Sequence, residues 1–140
     1  MAITSNPVFL TQQLRDDLVR LGNYTHPLFH DVEKARATGM KDIPFPGQAI
    51  LLIAGGAVEA SGAVENAIAL LSLTETNFLS AAFPGDEIRV EIIPGESKAT
   101  KDPSKVKTQF NWRIINQNDQ LVATTSATML LSKSTGELPS

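Results

Sequence analysis

From Gly47 to about Ser61 the chain reads as a helix that is apolar nearly all round, through Ala49, Ile50, Leu51, Leu52, Ile53, Ala54, Ala57 and Val58. A helix without a polar face has to be surrounded by other structure. At about 1.5 Å per residue it would span roughly 22 Å, comparable to the width of a sheet of about five strands. The approach through Met40 to Pro46 carries two prolines, which forbid regular helix and impose an extended connection. Gly55 and Gly56 weaken the helix from within, so close packing against a backbone is expected to compensate there.

The rest of the pattern falls on either side of this element. Thr11 to Leu21 sets Leu14, Leu18 and Leu21 at the spacing of an amphipathic helix, with Thr11 as N-cap and Gly22-Asn23 as its stop. A second short helix is expected from Pro27 to about Thr38, since proline is tolerated in a first turn. After Gly62 strand-like segments follow one another. Residues 67–78 open as an apolar run, 87–93 alternate through Ile88, Val90 and Ile92, 105–115 through Val106, Phe110, Trp112 and Ile114, and 121–131 through Ala123, Thr125, Ala127 and Met129. Breaks are expected at Phe83-Pro84-Gly85-Asp86, at Pro94-Gly95 and at Asn116 to Asp119, the last as an antiparallel hairpin. Helices first and antiparallel strands second give an α+β fold in which one buried helix lies on a curled sheet. Such a sheet leaves an edge to cover, which points to a homodimer.

The chain has 140 residues, enough for one domain with its own core, here expected over about residues 8–132, with a frayed tail from Ser132. Cysteine is absent, which excludes disulfides, a thiolate nucleophile and thiolate metal sites. A net charge of -3 gives no basis for a nucleic-acid partner. Lys98, Lys101, Lys105 and Lys107 cluster but are interleaved with Glu96 and Asp102, as in a solvated loop. The N-terminus lacks the pattern of a secretory signal, and the apolar run from Ala49 to Val58 is too short for a bilayer. A soluble cytoplasmic protein without a membrane partner is the expectation.

Acid–base chemistry near neutral pH has one obvious origin. Both histidines, the single tyrosine and a carboxylate fall together in Tyr24-Thr25-His26-Pro27-Leu28-Phe29-His30-Asp31. His26 and His30 are candidate bases and Tyr24 a candidate proton donor, against capping, solvent-exposed and half-buried packing roles respectively. Asp31 can instead stabilise the start of a short helix. Two histidines without a carboxylate pattern make a poor metal site, and no phosphate loop or Gly-x-Ser-x-Gly elbow is present, so neither metal nor cofactor is expected.

Pro27-Leu28-Phe29-His30-Asp31, Ala35-Arg36, Ile43-Pro44-Phe45-Pro46-Gly47, and Phe78 followed by Pro84-Gly85-Asp86 stand in one order that resembles the MaoC-like (R)-specific enoyl-CoA hydratase family. The resemblance implies a hot-dog fold, usually dimeric, that holds an acyl thioester of coenzyme A or of an acyl carrier protein. It implies hydratase or dehydratase chemistry, with the backbone amide of Gly47 polarising the thioester carbonyl. The family's Asp-x-Asn-Pro-Leu-His pattern is altered: Tyr24 stands at the Asp position, or Asn23 if one residue is inserted, and Phe29 stands at the His position. Phenylalanine transfers no proton, and neither tyrosine nor asparagine is a base near neutral pH. Three readings stay open. One is a rebuilt acid–base set on His26, His30 and Tyr24; the second is a non-catalytic acyl-binding or partner subunit; the third is isomerisation, epimerisation or cyclisation on the same scaffold. Phe29, Asn23, Asp31, Gly47 and Gln48 are the candidate substrate-binding residues.

Overall fold

A computed structural model describes residues 2–133. Two short strands, β1 (Ile3–Thr4) and β2 (Val8–Phe9), precede helix α1 (Gln12–Leu21), a 3-10 turn over Pro27–Phe29, and helix α2 (Val32–Ala37). Helix α3 (Gly47–Ala60) leads into four long strands, β3 (Ala67–Phe78), β4 (Glu87–Ala99), β5 (Lys105–Asn116) and β6 (Leu121–Ser132). All pairings are antiparallel, in the order β1-β4-β5-β6-β3 with β2 also on β4. The expected α+β layering is what forms: α3 lies against the concave face of the sheet. Ile50, Ala54, Ala57 and Val58 of α3 share one buried cluster with Val90, Ile92, Phe110, Trp112, Ile114 and Ala127 of the strands. Val90, Ile92, Phe110 and Trp112 alternate with half-buried or exposed residues, as a sheet with one covered face requires.

Three local expectations change. The helix expected over 27–38 is two pieces, because Asp31 adopts an extended backbone and its side chain accepts from the amides of Glu33 and Lys34 to start α2. Strand β4 does not stop at Pro94-Gly95 but runs on to Ala99, with the proline at a register shift against β5, where a missing amide is tolerated. Lys98, Lys105 and Lys107 consequently sit on strands rather than in a loop. Gly55 and Gly56 have nothing within 4 Å of where a Cβ would stand, so none of the described residues packs its backbone against them. The expected hairpin between β5 and β6 is present, and the tail beyond Lys133 lies outside the described residues.

Strand β3 is the free edge of the sheet beyond β6, and it is irregular. Its pairing with β6 shifts register three times, and Glu75 sits in the left-handed region at φ 50, with its carbonyl accepting from the Asn77 amide side chain.

Candidate functional site

Helix α3 begins at Pro46, which has no side-chain acceptor to cap it. The amides of Ala49 and Ile50 return to the Pro46 carbonyl, while those of Gly47 and Gln48 have no protein acceptor among the described residues. The start of α3 is therefore a pair of free donors with the positive end of the helix dipole behind them. The Phe78 ring lies over this end. A Cβ on Gly47 would come within 3.1 Å of it, so any larger residue there would press the ring aside.

An apolar cavity of about 320 Å³ opens here, lined among others by Phe29, Met40, Phe45, Gly47, Ile50 and Phe78. Phe45, Ile50, Ala82 and Val122 are buried and form its floor, whereas Phe78, Leu79 and Ser80 are exposed at its mouth. The amide of Phe45 donates to the Ala82 carbonyl at 2.8 Å and ties the floor together. Further along the same helix a second hollow of about 800 Å³ lies between α3 and β3. It is lined by Leu51, Leu52, Gly55, Gly56, Glu59 and Trp112, with Leu70 and Leu73 on the strand side. Trp112 Nε1 is buried there without a hydrogen-bond partner. The two hollows flank one helix and one strand, and their apolar walls suit an alkyl chain rather than a charged group.

The overhanging segment places the tyrosine. Asn23 takes the left-handed conformation at φ 56 that closes α1, and the Tyr24 ring packs onto Gly22, where a Cβ would lie 2.6 Å from it. The Tyr24 hydroxyl then donates to Gln48 Oε1 at 2.8 Å, and its ring meets Phe29 edge-on, with centroids 5.2 Å apart. Tyr24, Phe29, Gly47 and Gln48 thus converge at the start of α3.

The other candidates are elsewhere. Asp31 caps α2, Asn23 turns the chain, and neither lines the smaller cavity. His26 accepts the Leu28 amide at Nδ1, 3.0 Å away, as the cap of the 3-10 turn. Its neutral ring therefore carries the proton on Nε2 and has no free basic nitrogen. His30 Nε2 hydrogen-bonds the Tyr24 carbonyl, which leaves Nδ1 free, but His30 faces a separate hollow shared with Arg15, Arg20, Asn23 and Tyr24, and neither Tyr24 nor Gln48 lines the smaller cavity itself. No histidine or carboxylate is among the residues lining the smaller cavity.

Two contributions were not legible in the sequence. Arg15 is only 5% exposed, on the inner side of α1, and holds the 3-10 turn from beneath. Met40 and Ala82 join the cavity from connecting segments that carry no periodic signal.

No family model matches the sequence, and no curated protein matches it. Solved structures do. The monoamine oxidase regulatory protein from Archaeoglobus fulgidus superposes with a TM-score of 0.87 at 25% identity, over 96% of this chain and 90% of that one. A MaoC-domain dehydratase from Chloroflexus aurantiacus gives 0.91 at 19% identity, over 100% of this chain and 40% of that one. A 3R-hydroxyacyl-ACP dehydratase complex from Mycobacterium tuberculosis gives 0.78 at 14% identity, over 93% and 94%. The chain has the hot-dog fold of these MaoC-like structures.

Proposed function

We propose that this chain binds an acyl thioester of coenzyme A or of a carrier protein at the start of α3 and acts in its hydration or dehydration. The observation that carries this reading is the uncapped start of α3, where Gly47 lines an apolar cavity under the Phe78 ring and its amide, like that of Gln48, has no acceptor among the described residues. Those donors suit a thioester carbonyl on which negative charge develops when water adds at the β-carbon. The acyl chain would follow the groove between α3 and β3, past Gly55 and Gly56. Tyr24, held by Gln48, is the proton-donating or water-orienting group nearest the helix start.

A second reading has its own support. With His26 spent on the Leu28 amide and His30 turned to another hollow, the described residues of one protomer bring no histidine or carboxylate to the smaller cavity. The chain would then hold the acyl group as a subunit whose base comes from a partner chain, as befits a fold also found in a dehydratase complex.

A homodimer through β3 belongs to the same proposal. Ile68, Leu70 and Leu71 on this free edge, and Leu52 of α3 at 64% exposure, are exposed apolar side chains that a second copy would bury. Leu71→Asp should convert a dimer to monomer in sedimentation velocity.

The deciding experiment pairs crotonyl-CoA hydration with calorimetric binding of butyryl-CoA. Turnover that falls at least tenfold in Tyr24→Phe supports the first reading. Saturable binding without turnover supports the second. Neither binding nor turnover overturns both.

A further inference from the structure

Five of the seven lysines of this acidic chain gather at one end of the sheet: Lys98, Lys101, Lys105, Lys107 and Lys133. Lys133 joins because its amide donates to the Ser104 carbonyl in the turn between β4 and β5. Within the cluster, Lys98 of β4 and Lys107 of β5 are direct cross-strand partners. On β5 the buried residues Thr108, Phe110, Trp112 and Ile114 face α3, so Lys107 and Gln109 project from the opposite face of the sheet.

Directly opposed like charges destabilise an antiparallel pair. Among the described residues neither Lys98 nor Lys107 forms an ion pair. Asp102 is already occupied, accepting from the Ser104 amide and hydroxyl and lying 3.7 Å from Lys105. The two ammonium stems instead flank a hollow of about 350 Å³, completed by Glu96, Gln109 and Thr128. Gln109 is fixed by a hydrogen bond from its amide nitrogen to the Ser126 hydroxyl, which leaves a second amide hydrogen, and Thr128 adds a hydroxyl.

We propose that this hollow is a binding site for the phosphate group of a phosphorylated small molecule, held between the Lys98 and Lys107 ammonium groups with Gln109 and Thr128 as neutral donors. A doubly charged oxyanion matches two neighbouring cations, and it offsets their mutual repulsion on binding. Glu96 reduces the net charge of the hollow, so retention depends on both lysines closing on one ligand rather than on a broad field. The site lies on the sheet face away from α3 and stands independently of the thioester proposal.

Thermal unfolding at low ionic strength, titrated with inorganic phosphate and with pyrophosphate against sodium chloride of equal ionic strength, tests this. The expected result is a saturable rise in Tm with pyrophosphate, exceeding that with chloride, lost in Lys98→Gln and in Lys107→Gln and kept in Lys34→Gln on α2. The same two variants should unfold about 1–4 °C above wild type without ligand, because each removes one of the opposed charges. A Tm rise matched by chloride, no saturable rise, or one retained in both lysine variants overturns the proposal.

Discussion

Arg15 donates from Nη1 to the carbonyl of Phe29 at 3.2 Å, bridging α1 and the 3-10 turn across fourteen residues of chain. The same guanidinium meets Asp16 at 2.8 Å, and its Nε is buried without a partner. One arginine beneath the overhang therefore fixes the height at which the Phe29 ring enters the smaller cavity.

Arg15→Met, which keeps the volume of the stem but not the donors, should lower stability by about 1–3 kcal/mol in urea unfolding, the worth of a charged hydrogen bond to a partly buried carbonyl. It should also weaken butyryl-CoA binding. Unchanged stability would show that the bond contributes nothing.

Gly47 and Phe78 should behave as one unit. Gly47→Ala alone collides with the ring and is expected to destabilise the protein and reduce thioester affinity. In a Phe78→Ala background the same change should become neutral or stabilising by up to about 1 kcal/mol, since alanine is the better helix former. A double-mutant cycle by denaturation measures the coupling, and additivity within about 0.5 kcal/mol would contradict the contact.

Gly55→Ala fills open space, so on helix propensity alone it should stabilise a monomeric form by about 0.5–1 kcal/mol. Gly55→Leu should leave the fold intact and shorten the longest acyl-CoA that binds, compared by calorimetry across a chain-length series. If both substitutions destabilise strongly, the glycines serve a close approach by a second chain rather than by an acyl group.

Asp31 is expected to matter for helix α2. Asp31→Ala should cost about 1 kcal/mol, whereas Asp31→Asn, which can still cap, should cost much less. Equal losses of activity in both variants, with stability retained in Asp31→Asn, would point to a role in the chemistry instead.

Much of the layout was legible because it depends on periodicity. The all-apolar face of residues 47–60 required a surrounding sheet, and the alternation in β4, β5 and β6 supplied one covered face. Gly47 was legible as a helix entrance because Pro46 cannot continue an upstream helix. What periodicity cannot register is a competition between local hydrogen bonds. Asp31 draws the Glu33 and Lys34 amides and splits one expected helix into two, and a cap at His26 removes an imidazole that composition alone marks as a base. Arg15 reads as a solvent-facing charge on an amphipathic helix. Its burial depends on a carbonyl that only the folded overhang delivers.

The bulged course of β3 has a consequence for how this chain behaves at high concentration. A free edge of twelve residues carrying Ile68, Leu70 and Leu71 would, if flat, accept strand after strand and seed fibrillar growth. Three register shifts and the left-handed Glu75 deny it the even spacing that repeated addition needs. Association through this edge would thereby be steered away from repeated strand addition.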